Sequence, residues 1–595
     1  MRGLFIGVLV VFSLFGAQLV RVQGFESGTS AALGRQVREV QEVIPALRGT
    51  IYDATGTVLA TSIEKRTIAA DQTAVPAYRK RVDGKLTTVG VEGAVADLGP
   101  LLGVEEDRLR DLLTGTKRYV VLAKNISPLT WHEISGLGIP GIYSSRTSQR
   151  SYPQSTTSAS LVGFTYTETE QELGGGGVEL YLEDELRGVP GKLSYEVGQD
   201  GIRLPNGFTD EVAAKTGRDV RLTIRNDLQW YAQNVLAQKV REAKADSGTV
   251  VVMNAKTGEL LSLASYPTFD PNKITDDASL NNYAFVDVFE PGSTAKVITV
   301  AAALQEGVAT PSTPMEVPYS LRRADGRTFS DSHGHPTEYL TLAGALAQSS
   351  NTAMILLGEQ MKAATMESYF RKFGFGTKTA VDFPGESAGL LAKAEDWNGS
   401  QRYTVLFGQG LSITAIQAAG VFQTIANGGV RVSPKLIAAV EDEDGTITAT
   451  PAGEKTEVLS PEVATQLSEM MEGVVSDDGT APEAMIDGYR IAGKTGTANR
   501  YDEKSKGYSG YTASFIGFAP ASDPELVVSV IVQNPRNGYY GGTISAPVFH
   551  DVMTYALASL DIPPTPGDTT PPSLRLEAEK EEALADPTVL RDGKG

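Results

Sequence analysis

The chain of 595 residues is too long for one ordinary domain and predicts roughly three to four units of about 150 residues each. It has no cysteine, which excludes disulfides, thiolate metal sites and a cysteine nucleophile, and only 4 histidines remain for metal or base roles. A net charge of −19 argues against a nucleic-acid partner and does not favour an anionic membrane surface, so a small molecule or neutral polymer is the easier substrate.

The first predicted element is an apolar run from Gly3 to Val20, bounded by Arg2 and Arg21. At about 1.5 Å per residue it spans roughly 27 Å, close to the hydrocarbon thickness of a bilayer. One transmembrane helix within residues 1–22 is expected. A cleaved signal peptide is the rival, but Phe15 stands two places before Ala17, against the small-residue pattern of a cleavage site. Arg2 and Arg21 balance, so charge does not orient the helix. Its place ahead of nearly all of the chain is expected to leave that mass on the outer side.

Residues 23–217 read as short strand-like runs broken by glycine and proline, with no nucleophile constellation. Thr57 to Ala69 alternates apolar and polar residues and predicts a strand. Ser62 and Lys65, an S-x-x-K pair, therefore point to opposite faces and cannot cooperate. Glu105-Glu106-Asp107 reads as a solvated face. Lys215-Thr216-Gly217 precedes the strand-like Asp219 to Ile224 and reads as a linker.

Residues 218–560 have the organisation that chemistry needs. Leu228 to Ala245 is a helix by its apolar spacing. Lys256-Thr257-Gly258, a second K-T-G triplet, lies between the apolar runs Thr249 to Met253 and Leu260 to Ala264 and predicts a hairpin turn. Pro291-Gly292 precedes Ser293, and Val297 to Leu304 continues as a buried helix, which puts Ser293 at or near a helix N-terminus. A helical subdomain is expected around Ser349, and Gly445 after Glu441-Asp442-Glu443-Asp444 predicts a turn. Strand-like runs at Gly493 to Ala498, Ala513 to Ala519 and Leu526 to Gln533 precede a helix from Pro547 to Leu560. The expected fold class is α/β (α+β), with helices flanking a mostly antiparallel sheet. His333-Gly334-His335 has no cysteine or suitably placed carboxylate motif beside it, so neither a metal nor a cofactor is expected. Residues 561–595 are Pro-rich, then acidic and poor in aromatics, and read as a disordered tail or spacer.

Three motifs remain in order: Ser293-Thr294-Ala295-Lys296, Ser349-Ser350-Asn351 and Lys494-Thr495-Gly496-Thr497, their first residues 56 and 145 positions apart. Singly, each has a plain structural reading as a capped helix start, a loop or a turn. Jointly they read as an acyl-transfer site. On a helix, i and i+3 share a face, which brings Lys296 to Ser293 as candidate base. A lysine of pKa about 10.4 is neutral in roughly one molecule in 2,500 at pH 7, so the base needs a value lowered toward 7, worth roughly 4 to 5 kcal/mol. Desolvation, the helix N-terminus and the charge of Lys494 all act that way. Ser349 reads as a proton relay between Lys296 and the leaving amine, and the Asn351 amide as a partner of Lys296 and the substrate backbone. Lys494, Thr495 and Thr497 supply a cation and donors for a terminal carboxylate, and Gly496 lets substrate approach the strand edge as an added strand.

Further phrases carry a resemblance. Arg48-Gly49-Thr50-Ile51-Tyr52-Asp53 with Gly56 and Leu59-Ala60, Arg150-Ser151-Tyr152-Pro153, Leu161-Val162-Gly163-Phe164, Gly177-Val178-Glu179 and Leu186-Arg187-Gly188 resemble the pedestal of class B penicillin-binding proteins. Phe407-Gly408-Gln409-Gly410 and Ile425-Ala426-Asn427-Gly428-Gly429 are similar to phrases of their transpeptidase domain, and the three ordered motifs resemble that class's signature. Ala54 departs from the family, which usually has arginine there.

The resemblance implies a single-pass protein of the bacterial cytoplasmic membrane, mostly extracytoplasmic, with a dimerisation-type pedestal and a penicillin-binding transpeptidase domain. It implies oxyanion donors at the N–H groups of Ser293 and Thr497. It also implies a D-Ala-D-Ala donor from a peptidoglycan stem peptide, a Ser293 acyl-enzyme formed with loss of D-alanine, an acceptor amine from a neighbouring stem peptide, and acylation by β-lactams. The missing glycosyltransferase motifs imply a separate polymerase, typically a polytopic SEDS-family glycosyltransferase at the anchor and pedestal. A carboxypeptidase or β-lactamase would usually be shorter and lack the pedestal. A β-lactam sensor would carry several spans and an H-E-x-x-H motif, whereas His132-Glu133 lacks the second histidine. The compact pedestal and Asp331-Ser332-His333-Gly334-His335 look more like the division branch than the elongation branch.

Overall fold

A computed structural model describes residues 2–21, 39–168, 171–198, 204, 207–323, 326–502, 506–564, 572–575 and 589–592. The apolar N-terminal run is one helix, Arg2–Val20, with a mean hydropathy of 2.3 and no side chain buried against the rest of the protein. It is long and apolar enough to cross a membrane.

The C-terminal half is built on a five-stranded antiparallel sheet. Its strand order is Leu260–Tyr266, Ser247–Asn254, Leu526–Gln533, Gly507–Ala519, Ala492–Asp502. Successive side chains of a strand face opposite ways. Val250, Val252, Val528 and Val530 pack against the helices Asn226–Glu242 and Ala546–Ser559. Val251, Met253, Val527 and Ile531 pack on the other side with the helices Lys296–Gln305 and Ala415–Ala426. With both faces covered, the inner strands read as continuous apolar runs rather than alternating ones. The expected turn at Lys256 joins two of these strands, with Gly258 at φ +73°. Ala492–Asp502 is the edge strand, and its outer backbone is unpaired in this sheet.

A second, seven-stranded sheet crosses the boundary expected at 217/218. Ile51–Tyr52 pairs in parallel with Asp219–Leu222, which pairs antiparallel with Ile437–Glu441. The long strand Val58–Ala70, in which Ser62 and Lys65 stand, adds on the other side. The N-terminal region is thus joined through Asp219–Leu222 to the same sheet as Ile437–Glu441. Beside this sheet Glu179, fully buried, receives Arg48 Nε at 2.6 Å and Arg150 Nε at 2.7 Å, with Tyr152 Oη at 3.3 Å. Ala54 leaves these ion pairs intact; its N–H donates to the Ile224 carbonyl.

The helical subdomain around Ser349 includes Leu342–Ala347, Asn351–Gly358 and Ala363–Lys372, entered through the hairpin Pro314–Val317 and Glu338–Thr341. Two short pieces of the tail read as disordered or a spacer, 572–575 and 589–592, are among the described residues. Leu574 and Leu590 pack against the core, and Arg575 and Leu590 each form a single bridge to that hairpin. The rest of 565–595 lies outside the described residues.

Candidate active site

Three elements converge. The tight turn Gly292–Ala295 leads into Lys296–Gln305 and carries Ser293, half-buried, just ahead of the helix. Gly292, at φ +52°, donates its N–H to the Gly408 carbonyl at 2.9 Å, and a Cβ there would stand 3.0 Å from that of Ala498. Gly496 on the edge strand serves the same contact. A Cβ at 496 would overlap Ser514 Oγ and stand 3.0 Å from the Pro291 carbonyl and the Thr294 methyl. Gly496 thus lets the nucleophile turn seat on the strand.

Ser349 separates the helices Leu342–Ala347 and Asn351–Gly358 in the left-handed region, at φ +61°, which a non-glycine residue adopts at a cost. That turn brings both its carbonyl and its hydroxyl to the lysines. Lys296 Nζ donates to the Ser349 carbonyl and, at 3.2 Å, to Ser349 Oγ; Lys494 Nζ donates to the same Oγ at 2.9 Å and to Thr495 Oγ1 at 3.2 Å. Both lysines are fully buried. Burial lowers Lys296 to about 7, with Asp331 opposing the shift. Burial first and the neighbouring Lys296 second hold Lys494 well below the usual lysine range. Two amines around one hydroxyl oxygen, each resisting a charge, form a path along which a proton can move.

Other expected contacts differ. Among the described residues Ser293 Oγ has no hydrogen-bond partner, and the Asn351 amide does not bond Lys296; Asn351 Nδ2 donates to the Ser330 carbonyl at 2.9 Å. Lys494, expected to face a terminal carboxylate, is turned onto Ser349 and Thr495. Thr495 Oγ1 also meets Thr480 Oγ1 at 2.7 Å, while the half-buried Thr497 accepts the Gly541 N–H at 3.1 Å.

Asp331 is the residue whose role sequence reading missed. Its carboxylate accepts the N–H groups of Asn351 and Thr352, the latter at 3.0 Å, and the Ser350 hydroxyl at 2.8 Å. It therefore caps the helix that begins at Asn351 from a loop about twenty positions earlier. His335 Nε2 meets the same carboxylate at 3.1 Å and Nδ1 the Pro336 carbonyl at 2.7 Å. Two acceptors require the imidazolium. Burial alone would lower the His335 pKa, but Pro336 and Asp331 outweigh it and raise the value above the usual range. The neighbouring His333 meets Tyr540 Oη at 3.0 Å, linking the Asp331 loop to the segment after the sheet.

The family described as the penicillin binding protein transpeptidase domain matches residues 248–554, and the penicillin-binding protein dimerisation domain matches 43–222. The chain belongs to the class B penicillin-binding proteins. PbpB of Mycolicibacterium smegmatis is 33% identical, covering 96% of this chain and 91% of the relative. Peptidoglycan D,D-transpeptidase FtsI of Escherichia coli is 33% identical, covering 89% and 87%. Among solved structures, a peptidoglycan synthetase of Bifidobacterium adolescentis superposes with a TM-score of 0.74 at 29% identity, covering 91% of this chain and 100% of that one. Penicillin-binding protein 3 of Mycobacterium tuberculosis, complexed with aztreonam, gives 0.69 at 29% identity, covering 90% and 100%. In this class B penicillin-binding protein the pedestal phrases, including the Arg48, Arg150 and Glu179 cluster, lie within the dimerisation match, and all three site motifs lie within the transpeptidase match.

Proposed function

We propose that this protein is a peptidoglycan D,D-transpeptidase of septal wall synthesis that works through a Ser293 acyl-enzyme and is acylated by β-lactams. The observation that carries the mechanism is the fully buried Lys296, lowered to about 7, one turn from Ser293 and sharing Ser349 with Lys494. A neutral Lys296 takes the Ser293 proton as Oγ forms a bond to the penultimate D-alanine carbonyl. N–H groups of Ser293 and Thr497 receive the developing oxyanion, a donor pair typically worth about 10²-fold or more in rate. Ser349 passes the proton from Lys296 to the leaving nitrogen, the C–N bond breaks, and D-alanine departs. An acceptor amine then attacks the ester, loses a proton to the same path, and Ser293 leaves as the hydroxyl, giving a new amide cross-link.

The donor lies along the open edge of Ala492–Asp502 as an added strand. Its terminal carboxylate meets the Thr495 and Thr497 hydroxyls, and Asn351 holds its backbone. Residues 23–217 act as pedestal and 218–560 as transpeptidase domain. The N-terminal helix anchors the protein in the cytoplasmic membrane with the bulk outside, beside a SEDS-family glycosyltransferase that supplies the glycan strand.

Labelling with a fluorescent penicillin tests the nucleophile. The wild type takes one label and Ser293→Ala none; a label that persists in Ser293→Ala overturns the assignment.

A further inference from the structure

The hairpin Pro314–Val317 and Glu338–Thr341 runs directly into the helix Leu342–Ala347, whose end delivers Ser349. Two strands alone leave two open edges and are marginal as a unit. Here the chain's own C-terminus occupies both. On one edge, Glu316 donates its N–H to the Leu590 carbonyl at 2.9 Å and Leu590 donates to the Pro314 carbonyl at 3.0 Å, in parallel pairing. On the other, Arg575 bridges Leu340 antiparallel, and Thr341 Oγ1 donates to the Ser573 carbonyl at 2.6 Å. That hydroxyl also accepts the Gly344 N–H at 3.0 Å, so the tail is bonded to the residue capping the Ser349 helix.

The packing is close. A Cβ at Gly344 would overlap the Leu574 carbonyl, and one at Gly473 would stand 2.9 Å from the Leu574 side chain and 3.5 Å from Ala347. Leu574 thus fills the seam between Leu342–Ala347 and the helix Pro461–Val475. Asp592 meets buried Arg323 at 3.2 Å, and Arg323 grips Glu359, at the end of Asn351–Gly358, at 2.7 and 2.9 Å. The tail thus touches the first flanking helix directly and reaches the end of the second through Arg323.

We propose that the C-terminal tail is a positioning clip for the Ser349 relay. By bridging each edge of the hairpin and packing against its helices, it holds left-handed Ser349 against Lys296 and Lys494. The proposal rests on the reading of Ser349 as the relay.

The test uses the full chain in detergent and two variants: one ending at residue 564, and Gly344→Ala. Alanine is the better helix former, so the second variant expels Leu574 without weakening the helix. Hydrogen exchange is followed at 314–317 and 338–349, and penicillin acylation is resolved into binding and chemical rate. Both variants are expected to lose protection at these residues. The chemical rate is expected to fall on the order of tenfold or more, toward the 10²-fold that a displacement of about 1 Å costs, with penicillin binding little changed. Unchanged protection after truncation, or released strands with an unchanged chemical rate, overturns the clip. Ser349→Ala separates the two readings: a fully active Ser349→Ala overturns the relay itself, whereas an inactive one beside active clip variants overturns the clip alone.

Discussion

Lys296 and Lys494 converge on one hydroxyl with no carboxylate bonded to either amine among the described residues, so the chemistry depends on one of them being neutral. Acylation is expected to rise with pH through an apparent value of about 7, which belongs to the coupled pair rather than to one lysine. A flat rate across that range in a stopped-flow penicillin assay would contradict the base. Between pH 7 and 10.5 the unfolded chain holds a proton that folded Lys296 has released, so wild-type stability rises with pH across that window. Lys296→Met is expected to abolish acylation yet raise the unfolding free energy by about 1–4 kcal/mol near neutral pH, the gap narrowing toward pH 10 in denaturant titrations. The candidate pair Ser293 and Lys296 was legible because i and i+3 share a helix face, although among the described residues Lys296 bonds Ser349 and not Ser293. The left-handed turn at Ser349 was not, since no glycine marks it and Ser-Ser-Asn also reads as an ordinary cap.

At the scale of elements, the nucleophile turn and the edge strand are fitted to each other through glycines. Gly496→Ala pushes a methyl into the Pro291 and Thr294 contact and is expected to cut acylation by about 10²-fold while the protein still folds. Acylation within a few-fold of wild type would show that the turn does not depend on that seat. Asp331 sets the start of the next helix. Asp331→Asn replaces by a donor one of the two acceptor oxygens, of which one receives the Asn351 and Thr352 N–H groups and the other the Ser350 hydroxyl. It is expected to cost about 1–3 kcal/mol in thermal unfolding and to slow acylation as well. Stability equal to wild type would remove Asp331 from the site's framework. The inner strands and major helices were readable because burial on both faces imposes long apolar runs. The hairpin before Ser349 and the polar end of the edge strand, Asn499 to Asp502, were not. Runs of three or four residues are too short for alternation in the sequence to distinguish strand from loop.

The whole molecule is held together by contacts that sequence spacing does not announce. A boundary placed at 217/218 on composition runs beside a sheet that pairs Ile51–Tyr52, Asp219–Leu222 and Ile437–Glu441, strands more than 150 positions apart in sequence. Single residues, Leu574 and Leu590, dock the tail, and its Pro-rich, acidic composition does not announce them. Arg48, Arg150 and Glu179 stand in three separate pedestal phrases and their pairing is not visible in the sequence, although arginine and glutamate are almost never fully buried unless paired. Glu179→Leu leaves Arg150 buried without its carboxylate and Arg48 with Glu183 alone, and is expected to cost about 3–5 kcal/mol in unfolding free energy; a melting curve unchanged from wild type would contradict that role. These frameworks serve one reaction, and its direct measurement is turnover of a stem-peptide donor ending in D-Ala-D-Ala, with and without an acceptor amine. Wild type should release D-alanine and form the cross-linked amide only when the amine is present, and Ser293→Ala should form neither. Hydrolysed donor as the only product with the amine present, or cross-links made by Ser293→Ala, would contradict the account.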